Sequence, residues 1–265
     1  MPFTSANGIQ FYYELHGSEN AEVLVFNNGV IMNAATSWVF QTPELSKYFH
    51  LLQYDCRGQG QSDHPREPYS MEIHADDLNA LLAVLDLGKA HIAGISYGGE
   101  VAQAFALKYP EKIKSLILID TVSEVGPELQ IIIQSWVHAL KANDPEGFFY
   151  NSVPWNFSAE WIKANGALLA DAKERYKALD FPAVINLCQA FFEVNFTDRL
   201  HQIDVPTCIM VGEQDLVKGL RYSQILKREI PQAELHILKD SGHATCWEVP
   251  ETFNSTIIQF IKSLD

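Results

Sequence analysis

No stretch of this 265-residue chain approaches the ~18 consecutive apolar residues that a membrane-spanning helix needs. The opening residues, Met1-Pro2-Phe3-Thr4-Ser5-Ala6-Asn7-Gly8, have neither a basic start nor an apolar centre. No signal peptide is therefore expected, and the expected location is the cytoplasm. Cysteine is scarce. Cys56, Cys188, Cys208 and Cys246 are scattered without a C-x-x-C pair, which argues against a disulfide framework or a zinc site and fits reduced, partly buried thiols. The nine histidines form no H-x-x-x-H pair and no Cys/His cluster, so no metal site is expected. Basic residues are also few, 19 Lys and Arg against 33 Asp and Glu. The formal net charge of -14 argues against nucleic acid or an anionic membrane as a partner. No internal repeat and no low-complexity segment is present.

With 47% hydrophobic residues, the chain can build one large α/β domain or one such domain with an inserted lid. Pro2-Ser5 and Ile9-Leu15 read as strands joined by the turn dipeptide Asn7-Gly8. Short runs of strand character follow at Glu22-Phe26, Phe49-Tyr54, Ala90-Ala93, Ser115-Ile119, Pro206-Val211 and Glu234-Leu238. Helical patterns separate most of them. One is capped by Ser70, carries Leu78, Leu81, Leu82 and Leu85 on one face, and has Gly88 as its expected stop. Another opens at Pro250, with Phe253, Ile257, Phe260 and Ile261 inward. Strands apolar on both faces and alternating with helices imply a parallel sheet covered on both sides. The rhythm breaks after Val122. From Ser123 to Phe196 no strand pattern appears. An amphipathic helix starts at Pro127 with Leu129, Ile132, Ile133, Trp136 and Leu140 on one face, and shorter helices follow, with breaks expected near Pro154, Gly166 and Pro182.

The chemistry centres on Gly94-Ile95-Ser96-Tyr97-Gly98, a G-x-S-x-G match. The pattern alone is weak. Its setting is specific, because a short apolar strand precedes it and a helix rich in small residues follows. Such a turn holds a serine clear of the sheet, and the glycines allow strand and helix to approach closely. Serine at neutral pH needs a base, and the base needs an acid to hold its tautomer. Gly212-Glu213-Gln214-Asp215 directly follows one buried strand and Ser241-Gly242-His243 follows the last one, in the order this architecture uses. His243 is the expected base. Asp215 is the first candidate for the acid, with Glu213 and Asp120 as rivals.

Tyr54-Asp55-Cys56-Arg57-Gly58-Gln59-Gly60-Gln61-Ser62-Asp63 is similar to a D-x-R-G-x-G-x-S-D loop, and Gly242-His243 with Glu248, Pro250 and Phe253 to a G-H-x4-E-x-P-x-x-F ending. With the Gly-Ser-Gly turn, these make the chain resemble the α/β-hydrolase family nearly end to end, in its capped esterase, lactonase and haloperoxidase-like branch. Asn28-Gly29, with Trp38 downstream, stands where that family usually has His-Gly. The resemblance implies an α/β-hydrolase fold: a mostly parallel eight-stranded sheet with helices on both faces and an inserted helical cap. Residues 1-122 and 197-265 would form the core and 123-196 the cap. It implies Ser96 as nucleophile, His243 as general base and Asp215 as its orienting acid. The backbone N–H groups of Val30 and Tyr97 would form the oxyanion hole, with Gly29 as the substitute for Val30. Arg57 and Asp63 would stabilise their loop. An apolar pocket would draw on Ile31, Met32, Trp38, Trp155, Phe192 and Trp247. The expected substrate is a small to medium carboxylic ester or lactone, cleaved through an acyl-serine without a cofactor. Hydrolysis of a carbon–carbon bond in a vinylogous diketone, perhydrolysis, and a ligand receptor on a hydrolase scaffold are the alternatives.

Overall fold

The strand-forming runs assemble into one sheet. A computed structural model describes residues 2–264. Its strands are β1 (Phe3–Ala6), β2 (Ile9–His16), β3 (Val23–Asn27), β4 (His50–Tyr54), β5 (Ala90–Ile95), β6 (Ile113–Ile119), β7 (Thr207–Gly212) and β8 (Ala233–Leu238). They lie side by side in the order β1-β2-β4-β3-β5-β6-β7-β8. The β1–β2 hairpin and the β2–β4 pair are antiparallel, and every later pair is parallel. Asn7 and Gly8 both take positive φ, 43° and 77°, which matches the twist of a two-residue hairpin turn. Strands β4, β5 and β7 are buried at every residue, as expected where helices cover both faces.

The helices are α1 (Ala34–Ser37), α2 (Thr42–Leu45), α3 (Met71–Val84), α4 (Tyr97–Lys108), α5 (Pro127–Lys141), α6 (Pro145–Asn156), α7 (Ala159–Ala164), α8 (Gly166–Tyr176), α9 (Phe181–Phe192), α10 (Leu220–Glu229), α11 (Thr245–Glu248) and α12 (Pro250–Lys262). Leu78 and Leu81 of α3, Val101 and Phe105 of α4 and Leu226 of α10 belong to one core cluster. Phe253, Ile257, Phe260 and Ile261 of α12 pack with Trp38 and Leu45 in a second. Ser70 caps α3 by accepting the Ile73 N–H at 3.2 Å. That helix stops before Gly88. Asp86 takes the left-handed conformation (φ 53°), and Leu87 N–H returns to the Leu82 carbonyl at 2.9 Å. A short polar side chain tolerates that conformation, so glycine was not required. Pro154 does not break its helix either; α6 runs on to Asn156.

Five helices, α5 to α9, lie between β6 and β7. The two ends of this segment are pinched together. Glu124 and Asn195 form an isolated antiparallel bridge. Phe196 N–H bonds the Ser123 carbonyl at 2.7 Å, and the Ser123 and Thr197 hydroxyls meet at 2.8 Å. Leu129, Ile133 and Trp136 of α5 and Leu187 and Phe191 of α9 share a core cluster with Tyr97 and Val101, so the cap is docked on the sheet by continuous apolar packing. None of the described helices is long and apolar enough to cross a membrane.

His74 of α3 is buried beneath the Ser96 turn, where its Nε2 lies 2.8 Å from the Tyr97 hydroxyl. Burial lowers the imidazole from the ordinary 6.5 to about 4. The folded state therefore keeps His74 neutral while the unfolded chain takes up a proton as pH falls through 6.5. Stability from this group is complete above 6.5 and is lost as pH falls toward 4. The expected cost between pH 7 and pH 5 is about 2 kcal/mol. Urea unfolding at both pH values measures it, and in His74→Leu the pH-dependent loss should shrink by about that amount.

Candidate active site

The turn from β5 into α4 is held by close backbone contact. Ser96 sits at φ 54°, ψ -119°, a conformation rare for a residue with a side chain. Its N–H donates to the Ile119 carbonyl at 2.8 Å, which ties the turn to β6. A Cβ at Gly94 would lie 2.0 Å from the Gly98 carbonyl oxygen, and one at Gly98 would lie 2.1 Å from that of Asn27. Both glycines are thus required by packing. The serine hydroxyl stands at the N-terminus of α4, where the helix dipole favours negative charge.

The ends of β7 and β8 deliver the partners. His243 Nε2 lies 2.9 Å from Ser96 Oγ, and His243 Nδ1 lies 2.9 Å from Asp215 Oδ2. Asp215 Oδ1 accepts the Val217 and Lys218 N–H groups at 2.7 and 2.9 Å, so the carboxylate is held in one orientation. The two rival acids point elsewhere. Glu213 is exposed and leans toward the Asp240 N–H at 3.5 Å. Asp120 is buried, with one oxygen accepting Gly212 N–H at 2.9 Å and the other the Thr245 hydroxyl at 2.6 Å. Burial, and then the neighbouring Asp215 charge, push the Asp120 carboxyl well above the usual carboxylate range. It fastens the ends of β6 and β7 to the histidine loop. Glu248 secures that loop from the other side, accepting Gly242 N–H at 2.9 Å and the cap's Ser158 N–H at 3.0 Å.

The loop after β3 owes its shape to Asn28, which is buried. Asn28 Nδ2 donates to the Tyr54 carbonyl at 2.8 Å, while its Oδ1 accepts the Trp38 indole N–H at 2.8 Å. The amide fills both roles at once. Gln59 Nε2 bonds the Gly29 and Val30 carbonyls at 2.8 and 3.2 Å, fixing that segment. The Val30 and Tyr97 N–H groups donate to none of the described residues, and both residues border the same cavity as Ser96. Asp55 accepts Ala34 and Gln61 N–H at 2.6 and 2.7 Å. Arg57 pairs with Asp77 through two contacts of 2.8 and 2.7 Å, and Asp63 accepts Gln10 N–H at 2.8 Å. These three side chains hold the loop.

The cavity at Ser96 is partly open, has room for about one water (about 20 Å³), and is walled by Val30, Ile133, Trp136, Cys188, Phe191, Val217 and Lys218. None of the six pocket residues expected from sequence lines it. Trp38 is wholly buried in the core, stacked on Phe26 with centroids 4.3 Å apart. Trp155 is exposed. Trp247 donates its N–H to the Ser37 carbonyl at 3.0 Å and meets Phe40 edge-on. The Met32 sulfur accepts Gly29 N–H within its own loop at 3.3 Å. Ile31 and Phe192 pack against the main core. The rotation of α5 and α9 puts Ile133, Trp136, Cys188 and Phe191 inward instead.

Lys218 was not foreseen. Its Nζ lies 2.9 Å from each oxygen of Glu100, and both side chains are buried. Burial lowers the Lys218 ammonium pKa, with the Glu100 charge opposing that shift. The available signal was in α4, whose residues from Tyr97 to Ala106 are all buried. A glutamate in a helix without a polar face needs a buried cation. Elsewhere, Cys208, Glu234 and His236 place a possible set of metal ligand atoms within 4.8 Å of one another on β7 and β8. The Cys208 thiol is pushed far up by burial, and His236 pairs with Glu234 at 2.8 Å.

A strained serine on a strand–helix turn, a histidine and an aspartate from the two following strand ends, and an inserted helical segment define the class. Residues 22–250 match the sequence profile of the alpha/beta hydrolase fold, and the chain belongs to that family. A Caulobacter segnis protein, RutD, named provisionally as a carbamate hydrolase, is 29% identical over 260 residues, covering 94% of this chain and 96% of that protein. The crystal structure of MGS-M2, an alpha/beta hydrolase enzyme from a Medee basin deep-sea metagenome library, is 29% identical with a TM-score of 0.92, covering 98% of this chain and 97% of its own. The enol-lactonase of Burkholderia xenovorans LB400 is 25% identical, also at 0.92, covering 98% of this chain and 100% of its own.

The geometry predicts that a fluorophosphonate labels Ser96 and that labelling depends on Asp215. Asp215→Asn should slow the reaction by ~10³-fold, because the amide stabilises the wrong histidine tautomer and no imidazolium. Asp120→Asn should stay within about threefold of the parent. Mass spectrometry of the adduct over time reads both; a crippled Asp120 variant with a normal Asp215 variant would reverse the assignment.

Proposed function

We propose that the protein is a serine hydrolase that transfers the acyl group of a small carboxylic ester or lactone to water. The observation that carries this reading is the Asp215–His243–Ser96 hydrogen-bond chain, with both links at 2.9 Å, beside two N–H groups without acceptors. Ser96 Oγ attacks the carbonyl carbon as its proton passes to His243 Nε2. The Val30 and Tyr97 N–H groups receive the oxyanion. Asp215 stabilises the imidazolium through Nδ1. Collapse expels the alcohol, which takes the proton from Nε2, and leaves an acyl-serine. Water then repeats the sequence, its proton going to Nε2 and back to Ser96 as the acid leaves. A lactone follows the same steps, with the alcohol still tethered to the acyl chain. The enol-lactonase likeness supports an ester-type bond.

The size of the cavity sets the acyl group. The cavity beside Ser96 is small and largely apolar, so short acyl chains require less cap movement than long ones. A carbamate is the second substrate class, and the name of the Caulobacter segnis relative favours it. It would pass through a carbamoyl-serine by the same proton transfers.

Two outcomes are expected with p-nitrophenyl esters of increasing acyl length. kcat/KM should peak between acetyl and butanoyl and fall at least ~10-fold by octanoyl. Trp136→Ala should move the peak to longer chains by opening the wall. Turnover must exceed many equivalents per site. A single equivalent of product would indicate a receptor, and activity confined to diketone carbon–carbon cleavage or to p-nitrophenyl carbamates would displace the ester reading.

A further inference from the structure

Lys218 and Glu100 form a fully buried ion pair at the wall of the Ser96 cavity, 118 positions apart in the chain. Glu100 has every partner a carboxylate needs. Its Oε1 accepts Val122 N–H at 3.1 Å and the Thr121 hydroxyl as well as Lys218, and its Oε2 accepts Lys218. Lys218 is less complete. An ammonium has three N–H donors, and Glu100 takes two. The third has no oxygen or nitrogen acceptor among the described residues. Its nearest companion is the face of Phe191, with Nζ 4.5 Å from the ring centroid. Phe191 belongs to the cap and also lines the cavity.

Burying an ion pair costs solvation that apolar residues of the same volume would not lose, so packing alone does not explain the lysine. Its position does. Among the residues lining the largely apolar cavity, Lys218 is the one whose side chain carries a charge. Resting on our reading of the site as an ester hydrolase, we infer that Lys218 is a specificity residue whose third N–H binds a neutral acceptor oxygen on the substrate's acyl chain, replacing the contact with Phe191. A keto oxygen near the reacting carbonyl suits this donor, and the small cavity favours a short chain over a long one. A carboxylate in that place fits less well. Glu100 already neutralises the ammonium, and the Asp215 carboxylate is held by the Lys218 backbone N–H at 2.9 Å, so an added anion would face two negative groups.

The test compares methyl butanoate, methyl 3-oxobutanoate and monomethyl malonate by pH-stat titration, each rate divided by the ester's hydroxide-catalysed rate. The wild-type protein should prefer the 3-oxo ester over the butanoate by roughly 10-fold or more in kcat/KM, as expected for a hydrogen bond from a charged donor. It should turn over the malonate more slowly than the 3-oxo ester. In the double variant Lys218→Met/Glu100→Gln, which leaves no unpaired buried charge, the preference should fall to within about threefold. The wild-type ratio stands whether or not the variant folds. Equal rates on the 3-oxo ester and butanoate, a preference for the malonate, or a folded double variant that keeps the preference would each overturn the inference while ester hydrolysis stands. Failure to hydrolyse any of the three, or any p-nitrophenyl ester, would overturn the ester reading and this inference with it.

Discussion

The close approach of β5 and α4 at Ser96 is the constraint on which the rest depends. The chain must reverse from strand to helix within one residue, and Gly94 and Gly98 let the backbones touch where any Cβ would collide. The cost is a serine at φ 54°. That strain is sustained because the turn is fixed from several sides: by the Ile119 carbonyl, by the Thr121 hydroxyl on the Ser96 carbonyl at 3.0 Å, and by the buried helix behind it. The hydroxyl is then presented at a helix N-terminus on the sheet edge where β7 and β8 also end.

Buried carboxylates organise everything around that point. Asp55 holds the loop opposite Ser96, Asp120 joins the ends of β6 and β7 to the histidine loop, Glu248 ties that loop to the cap, and Glu100 links α4 to the segment carrying Asp215. Each accepts backbone N–H groups that a loop would otherwise leave unpaired. Acidic side chains suit this task because one carboxylate can satisfy several donors from different segments. The overall excess of acid residues is thus only partly a matter of surface charge.

The cap supplies the apolar wall and decides how much room remains. It is docked through Leu129, Ile133, Trp136 and Phe191, and its ends are cinched at Glu124 and Asn195. Polar contacts join it to the core as well: Asp180 meets His64 at 3.0 Å and Arg66 at 2.7 Å. Docking is thus apolar near Ser96 and polar at the rim.

Local chemistry made a large part of this legible in one dimension. The Asn7-Gly8 turn, the doubly apolar strands and the glycine spacing around Ser96 each reflect a constraint that acts over a few residues, so the eight strands and the serine could be placed from the sequence. His243 followed from its position just after the last strand. What the sequence left open was orientation. Whether Asp215, Glu213 or Asp120 faces His243 depends on how each strand end leaves the sheet, and only the folded register turns Asp215 inward while Asp120 bonds Gly212 and Thr245. The pocket was less legible still. Abundant aromatics at Trp38, Trp155 and Trp247 gave no sign of which would be core, exposed or loop-bound, because that is set by the rotation of cap helices packed across the sheet. α4 signalled that Glu100 needs a buried cation, but not which one: two charges far apart in sequence are brought together only by tertiary packing, which is also what excludes water from between them.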